Sequence, residues 1–401
     1  MATDYDVIVA GAGPAGAVTA GLLARAGVRV ALLDKATFPR DKACGEYTSP
    51  QTATVLERIG ALPYVERARP RRLPAMRVYA RNGACFSMDY AAQGGGAVLA
   101  TPRRRLDAAL VEYATALGAE LQEHTRVVDV IREDGQARGV RVRQGAGAER
   151  EMRAALVVGA DGGHSAVARA LGLTRSPRWP RRLGMVAHYA GVRGCDAWGE
   201  MHAAAHGYCG LAPLADGLVN VGIVVRMPGP DGPRLSSEAR FEAALRAFPW
   251  LDGRMAAAQR VTPVRGVGPL AVGALRPSGA GFLLVGDAAG FFDPFTGEGV
   301  YKAVRGAELA APVVLAALAA GDVSARALAP YRAARRREFF AKDLVCRVVQ
   351  GFVQVPAGLD YVAPRLAGRP RHLAIMSGVL GDFTDARRAL SPAYLLGLLR
   401  P

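Results

Sequence analysis

The chain has 401 residues, of which 51% are hydrophobic, and these values predict a globular protein of two or three domains with a sizeable core. Its net charge of +16 and pI near 10.2 suit a nucleic acid, an anionic lipid surface or an acidic partner. Nucleic-acid binding is not favoured, because nearly all the positive charge is arginine and no basic run is interleaved with aromatic residues.

The cysteine content and the amino-terminal residues indicate the cellular compartment of the protein. Five cysteines without a C-x-x-C pair predict reduced thiols, with neither a disulfide framework nor a metal site. The opening MATDYDVIVAGAG has no basic segment, which argues against a signal peptide, and no apolar run reaches membrane-spanning length. We therefore expect a cytoplasmic protein, with peripheral membrane association left open.

The amino-terminal region predicts a nucleotide-binding unit. Its elements are a strand, a glycine turn, a helix and a second strand, at 6–10, 11–16, 17–26 and 28–34. Gly11, Gly13 and Gly16 match the G-x-G-x-x-G pattern, which allows a tight turn, backbone approach to a pyrophosphate and close packing of helix on strand. Asp34 closes the second strand, where a carboxylate binds a ribose hydroxyl pair.

The middle of the chain predicts further strands. Alternating apolar residues at 126–133 and 139–144 indicate a hairpin, and those at 185–192 and 217–227 indicate a second, antiparallel sheet.

Two later strands end in acidic glycine turns. VVGADGG and FLLVGDAAG place Asp161 and Asp287 at carboxyl ends of strands, where open α/β sheets bind ligands. Gly297 and Gly299 permit close backbone approach before a helix that begins near Val300 and aims its amino-terminal dipole at an anionic or electron-rich group. A helix cap is the alternative role for Asp287.

These three glycine-rich blocks, in this order and spacing, resemble the FAD-dependent oxidoreductases of the aromatic hydroxylase superfamily, whose nucleotide fold is of the glutathione reductase type. The resemblance covers nearly the whole chain and implies bound FAD, with the loop from Pro294 to Gly299 against the isoalloxazine. The residues that it implies for cofactor binding are Gly11, Gly13, Ala15, Gly16, Asp34, Lys35, Arg40, Cys44, Gly45, Arg103, Val127, Asp161, Gly286, Asp287, Pro294, Gly297, Gly299 and Val300.

Within this superfamily, FPRDKACGE and GDAAGFFDPFTGEG look most like the geranylgeranyl reductase family, in which a Cys-Gly pair precedes the face of the flavin. The resemblance implies that Cys44 contacts substrate or lends a proton and that Glu46 tunes it. The equally weighted alternative is that Cys44 has no chemical role and packs as a small buried side chain. Lys42 and Arg40 would lower the pKa of the Cys44 thiol if they point inward.

The substrate region departs from this family. Lipid-reducing members carry Tyr-x-Trp-x-Phe-Pro, whereas the matching YCGLAP at 208–213 lacks tryptophan and phenylalanine, and Gly210 leaves space for a ring. The Trp-x-Trp-x-Ile-Pro element of the related halogenases is missing, so halogenation is not expected. Tyr208 contacts substrate or packs in the core, and the candidate catalytic residues are Cys44, Glu46 and Tyr208.

Taken together, the predicted fold class is α/β: an FAD-binding Rossmann-like parallel sheet domain with an inserted antiparallel-sheet substrate domain and a C-terminal helical region. Their predicted bounds are 1–75, 100–178 and 275–330 for the first, 76–99 and 179–274 for the second, and 331–401 for the third. The third region alternates basic and apolar segments, which suits ordinary packing, a cover for a lipophilic tunnel or contact with a membrane surface.

The expected activity is reduction of a carbon–carbon double bond in an isoprenoid-like or polyketide-like substrate by hydride from reduced flavin, with NAD(P)H as transient electron donor. The alternative is a flavin monooxygenase that hydroxylates or epoxidises an aromatic or polyketide-type substrate. A third hypothesis is FAD bound for structure or sensing without turnover. The expected partner is a lipophilic or aromatic small molecule, and both monomer and homodimer remain open.

Overall fold

The computed structural model describes residues 3–175, 181–205, 207–227 and 235–400. The strands in this part of the chain are β1 (Tyr5–Ala10), β2 (Val30–Leu33), β3 (Arg71–Leu73), β4 (Ala75–Tyr79), β5 (Cys85–Asp89), β6 (Val98–Ala100), β7 (Glu120–Gln122), β8 (Thr125–Glu133), β9 (Gln136–Gln144), β10 (Glu149–Gly159), β11 (Thr174–Arg175), β12 (Arg182–Ala190), β13 (Gly199–Ala204), β14 (Gly207–Pro213), β15 (Leu218–Arg226), β16 (Gln259–Arg260), β17 (Arg265–Val267), β18 (Gly273–Ala274), β19 (Ser278–Gly279) and β20 (Phe282–Leu284). The helices are α1 (Pro14–Arg25), α2 (Gln51–Ile59), α3 (Leu62–Arg67), α4 (Arg103–Ala116), α5 (Ala166–Ala170), α6 (Ser237–Leu245), α7 (Asp252–Met255), α8 (Gly299–Ala319), α9 (Ala329–Gln354), α10 (Pro356–Ala367), α11 (Pro370–Leu380) and α12 (Pro392–Leu399).

The first sheet has the order β19-β20-β10-β1-β2-β7, and its strands from β20 to β7 run parallel. Successive residues of β1 face opposite sides: Val7 and Val9 pack with α1, α4 and α8, whereas Ile8 and Ala10 pack with β8 and β9. Because both faces are covered, the strand is apolar throughout. The predicted βαβ unit and the predicted β8–β9 hairpin are both confirmed.

The second sheet has the order β16-β12-β15-β14-β13-β4-β5, with β17 also paired to β12. One face packs on α6, where Phe241 is fully buried, and the other faces a cleft toward the first sheet. The sheet is antiparallel as predicted except at one pair of strands, β4 and β13, which run parallel. These two strands come from distant segments, so no hairpin dictates an antiparallel pair. The predicted domain bounds stay a prediction.

The carboxyl-terminal helices pack on both parts of the molecule. The 26-residue α9 lies against α8, and α10 and α11 lie against β5. The buried Lys342 of α9 donates to the Leu380 carbonyl at 3.2 Å and to Asp382 Oδ1 at 2.7 Å. Across the described ranges, no helix combines the length and the apolarity needed to cross a bilayer.

Candidate active site

A cleft of about 1900 Å³, including the open space at its mouth, lies between the two sheets. Its walls are the carboxyl ends of β1 and β10, the segment from Lys42 to Gly45, the loop from Pro294 to Gly299, and the inner faces of β12, β14 and β15. This is the edge at which an open parallel sheet binds its ligand.

The glycine turn after β1 has no room for side chains. A Cβ atom on Gly11, whose φ is 95°, would lie 2.6 Å from the Ala160 carbonyl oxygen, and a Cβ on Gly16 would lie 1.7 Å from the Gly11 carbonyl oxygen. The turn therefore packs directly on β10 and on the start of α1, and only glycine satisfies both contacts.

Asp34 is held at this turn by backbone groups. Its Oδ2 accepts a hydrogen bond from the Ala12 N–H and its Oδ1 accepts one from the Ala36 N–H, both at 2.9 Å. The side chain is buried at the end of β2. A carboxylate fixed in this way next to the glycine turn suits the ribose hydroxyl pair predicted for it.

Three cationic side chains converge where α1 begins. Arg103 forms two bonds of 2.7 Å with Asp107, and Arg40 contacts the same carboxylate at 2.9 Å. A Cβ on Gly13 would lie 3.5 Å from Arg40 Nη2 and 3.9 Å from Arg103 Nη2. Because glycine has no side chain, a space remains between the turn and these two guanidinium groups, which we call the cation cradle. Lys42 is the third cation, and its pKa is lowered by burial and then by Arg103. Cations at a helix amino terminus suit a pyrophosphate, so the residues present fit FAD.

The two acidic turns also meet the cleft. Asp161 Oδ2 accepts the Ala166 N–H at 2.6 Å, while its buried Oδ1 has no partner within the described residues. Burial raises the pKa of Asp161, since the carboxylate is only partly compensated. Asp287 lies in the cleft wall, and a Cβ on Gly286 would approach the Ala15 Cβ to 2.8 Å. The turn after β20 therefore packs closely against the start of α1.

Cys44 lies in the cleft wall with one hydrogen-bond donor at its sulfur. The Glu46 backbone N–H donates to Sγ at 3.4 Å, and the Arg103 guanidinium interacts electrostatically with Cys44. Burial works to lower the pKa of Arg103, but Asp107 and then Cys44 outweigh it and raise that pKa.

Glu46 lies behind Cys44, outside the cleft wall. Its φ is 54°. Its buried carboxylate accepts three hydrogen bonds: from the Arg103 backbone N–H at 2.7 Å, from Asn220 Nδ2 at 3.1 Å and from His188 Nε2 at 2.6 Å. Asn220 Nδ2 also donates to the Cys44 carbonyl at 3.0 Å. These bonds position the Cys44 segment against α4 and the second sheet, and the Glu46 side chain itself does not line the cleft.

Tyr208 lines the cleft and donates its hydroxyl to Asp293 Oδ1 at 2.5 Å. Burial, and then Asp293, raise the pKa of Tyr208 well above its usual value. Asp293 also accepts bonds from Arg182, Gln350 and the Phe295 N–H. This buried cluster joins the second sheet, α9 and the loop after β20.

Most of the predicted site residues meet at this cleft. Thirteen of them lie in its wall: Gly13, Ala15, Lys35, Cys44, Gly45, Arg103, Asp161, Tyr208, Asp287, Pro294, Gly297, Gly299 and Val300. Gly11, Gly16, Asp34, Arg40, Glu46 and Gly286 lie directly behind it. Val127 differs, because its side chain is buried in the apolar cluster between β8 and the first sheet. Its role in cofactor binding stays a prediction.

Sequence reasoning missed several residues that shape the site. The sequence indicates Lys42 only as a neighbour of Cys44, and the predicted site does not include Asp107, Asp293, His188 or Asn220. Asp107 carried a usable signal, since it lies four residues after Arg103 on a helix and such pairs meet. The others are brought in from distant strands and loops, which no local pattern reveals.

Three glycines leave open space at the floor of the cleft. Gly210 pairs with Gly222 across β14 and β15, and Gly184 lies diagonally from Gly222 on β12. Cβ atoms added at these three positions would meet nothing closer than 3.4 Å, so these glycines are not required by backbone crowding. Met76 and Met201 border this strip. The result is an apolar floor in the cleft that the loop from Pro294 to Gly299 also lines.

The parallel sheet, the cation cradle and the fixed Asp34 define an FAD-dependent oxidoreductase. A family model described as an FAD binding domain matches residues 4–348. The chain is similar to a digeranylgeranylglycerophospholipid reductase of Methanosarcina acetivorans, with 32% identity over 85% of this chain and 82% of the relative. It is also similar to a menaquinone reductase of Mycolicibacterium smegmatis, with 30% identity over 78% of this chain and 77% of the relative.

A solved structure of a myxobacterial chondrochloren halogenase shares the fold, with a TM-score of 0.78, 26% identity, and coverage of 85% of this chain and 82% of that chain. The chain therefore belongs to the geranylgeranyl reductase family within the FAD-dependent hydroxylase superfamily, as its sequence motifs implied.

Proposed function

We propose that this protein reduces a carbon–carbon double bond in a lipophilic, isoprenoid-type substrate. The observation that supports the proposal is that Cys44, whose sulfur accepts the Glu46 N–H, lines the same cleft as the apolar floor. An apolar floor suits a hydrocarbon chain, and a positioned thiol beside it suits the proton that reduction of an alkene requires.

FAD, when bound, supplies the hydride. The chain binds it through the glycine turn, Asp34 and the cations Arg40, Lys42 and Arg103, and the loop from Pro294 to Gly299 lines the same cleft as the apolar floor. These groups orient the cofactor in the cleft.

Cys44 then gives its proton to the carbon next to the one that receives hydride. The sulfur is left as a thiolate, which the Arg103 guanidinium and the Glu46 N–H stabilise. A proton from solvent restores the thiol before the next turnover. Hydride and proton together saturate one double bond.

NAD(P)H is our proposed electron donor. Lys35 and His164 support this choice, because both are exposed side chains in the wall of the cleft, where a soluble dinucleotide would arrive. We further propose a protein that works at the surface of a membrane, where a lipid substrate resides.

The test is mass spectrometry of a digeranylgeranyl phospholipid and of menaquinone, each in detergent, after incubation with the holoenzyme and NADPH. We expect a gain of two hydrogens per reduced bond, formed equally under argon and under labelled oxygen. A product that gains labelled oxygen would establish the monooxygenase instead. Flavin that bleaches with no product from either lipid would contradict both activities.

The role of Cys44 is tested by Cys44→Ala and Cys44→Ser. We expect both to lower kcat at least tenfold, because the proton donor is lost. Cys85→Ser is the matched control, since Cys85 is a half-buried free cysteine on β5, outside the cleft. Full turnover of Cys44→Ala would exclude the thiol as the donor.

A further inference from the structure

The outward side of α9 carries an apolar stripe flanked by arginines. Phe340, Leu344, Val348 and Val355 are 59%, 41%, 39% and 57% exposed. Their spacing of mostly four residues puts them on one side of the helix. Arg336, Arg337 and Arg347 are exposed beside them. We call these seven residues the α9 outer face.

Exposed large apolar side chains are concentrated in this part of the molecule. Of the ten such residues within the described chain, six lie between Phe340 and Leu396, and three of those six lie on α9 with a fourth at its end. The other four, at 235, 250, 261 and 275, are spread over separate loops and elements. Single exposed apolar residues are common, whereas an ordered row on one helix needs an explanation.

The α9 outer face cannot turn inward to bury itself. The opposite side of the helix is fixed by the buried residues Phe339, Val345 and Val353, and by Gln350, which bonds to Arg182 at 2.7 Å. Rotating the helix would break this buried contact. The outer face is therefore a permanent feature of the surface.

The charge on this face has one sign. The two acidic residues of α9, Glu338 and Asp343, point toward α8, where they bind Arg305 at 2.8 Å and Lys302 at 2.5 Å. The arginines of the outer face therefore have no carboxylate from α9 among them. The Arg336 guanidinium lies over the Phe340 ring, 5.5 Å from its centroid, so cation and ring form one surface.

We propose that the α9 outer face docks the protein on an anionic phospholipid membrane. An amphipathic helix with arginines beside aromatic and aliphatic side chains binds in the plane of the interface, where apolar groups enter the acyl boundary and cations meet phosphates. A second copy of the chain is disfavoured, because a twofold contact would bring arginines against arginines. A nucleic acid would leave the apolar row unused.

This surface is continuous with one wall of the cleft. Arg347 lies 5.8 Å from the centroid of the Phe292 ring, and the neighbouring Phe291 lines the cleft. A membrane bound at α9 therefore lies next to a segment that lines the cavity, and we infer that the lipid substrate enters from this side. Only this step rests on the proposed function, since docking itself requires no turnover.

The test is co-sedimentation of the full-length holoenzyme with vesicles. We expect at least tenfold tighter binding to phosphatidylcholine vesicles that contain phosphatidylglycerol than to pure phosphatidylcholine, with weakening at high salt. Two triple variants should each bind the anionic vesicles at least tenfold more weakly. One is Phe340→Ser/Leu344→Ser/Val348→Ser, and the other is Arg336→Gln/Arg337→Gln/Arg347→Gln. All six positions are exposed, so the fold should be kept, as circular dichroism and FAD content will verify.

Matched controls change equally exposed groups elsewhere. Val261→Ser/Leu275→Ser and Arg387→Gln/Arg388→Gln should bind vesicles within twofold of the unchanged protein. Equal loss in these controls would mean general charge attraction and would overturn the proposal, as would an unchanged protein that stays in the supernatant. A lower mass in sedimentation equilibrium for the α9 variants, with vesicle binding intact, would assign the face to a second copy. Turnover of detergent-solubilised lipid by the same variants reports separately on the proposed function.

Discussion

Glu46 shows how one residue organises a site without entering the cleft. Its backbone lies in the left-handed region, at φ 54°, which is unfavourable for a residue with a side chain. The carboxylate compensates by accepting bonds from an amide of α4, from Asn220 of β15 and from His188 of β12. It thus fixes Cys44 relative to both sheets.

Glu46→Gln tests this positioning role. The amide keeps the shape but turns an NH2 group toward the Asn220 donor, so we expect the unfolding free energy to fall by about 1–3 kcal/mol. With hydride donation still possible, kcat should fall while KM changes little. Urea unfolding and steady-state kinetics measure both effects. Glu149→Gln, at an exposed pair with Arg143, is the control and should change stability by less than about 0.5 kcal/mol. Unchanged stability in both variants would contradict the assignment.

Asp293 predicts a pH dependence of stability. Burial raises its pKa from 3.8 to about 6, although Arg182 and the Tyr208 hydroxyl oppose this shift. The folded state therefore binds more protons than the unfolded state between pH 3.8 and about 6. The stabilising contribution of the protonated form is complete below the unfolded pKa and is lost as the pH rises through the folded pKa.

Tyr208→Phe should move the pH range over which this stability is lost to higher pH. The hydroxyl donates to the ionised carboxylate, so its removal favours protonated Asp293 and the decline in stability should continue above pH 6. Urea unfolding from pH 4.5 to pH 8 measures the profile. Tyr5→Phe, which removes a hydroxyl bonded to the exposed Glu120, serves as the control. Superimposable profiles for Tyr208→Phe and the unchanged protein would refute the linkage.

Among the elements, β12, β14 and β15 decide what fits in the cleft. Their glycines at 184, 210 and 222 have ordinary strand conformations and uncrowded Cβ positions, so the backbone does not demand glycine there. The absence of side chains at these positions instead leaves space for a ligand above the floor. The sequence indicated this for Gly210 alone, because the pairing that brings Gly222 and Gly184 beside it depends on strand register.

Filling the floor should therefore affect substrate more than stability. We expect Gly222→Ile to raise KM at least tenfold, since the side chain occupies the space above the floor, while FAD affinity stays within twofold. Gly222→Ala should have an intermediate effect, with its Cβ at 3.5 Å from Val186 Cγ1. Kinetics with the detergent-solubilised lipid and flavin titration separate the two effects. Gly253→Ile, at an open surface position, is the control. An unchanged KM for Gly222→Ile would place the substrate elsewhere.

At the scale of the whole molecule, a buried ionic cluster joins the carboxyl-terminal helices to the FAD-binding part. Lys342 of α9 bonds to Asp382 after α11 and pairs with Glu298, which also binds Lys302 of α8. Burial lowers the pKa of Lys342, but Asp382, Cys346 and Glu298 outweigh it and raise that pKa. The lysine thus stays charged as the shared partner of two buried carboxylates.

Lys342→Met should weaken this connection. It keeps the length of the side chain but leaves Asp382 without its cation, which costs about 3–5 kcal/mol for a buried pair. We expect lower stability in urea and faster proteolytic cleavage after residue 330. Arg388→Met, at an exposed position, should change stability by less than about 0.5 kcal/mol. Equal stability of the two variants would show that apolar packing alone holds the helices.

The sequence by itself determined the nucleotide-binding glycine turns, because these depend on local spacing: a turn that needs glycine and a strand that ends in an acid. FAD as the nucleotide and the thiol at the cleft followed from the resemblance of its motifs to those of a known family. Only the tertiary structure decided that Glu46 supports Cys44, that Asp293 binds Tyr208, and that three glycines on separate strands form one floor. These contacts join residues up to 174 positions apart, as from Glu46 to Asn220. Strand register and packing set such contacts, and neither is written in a local pattern.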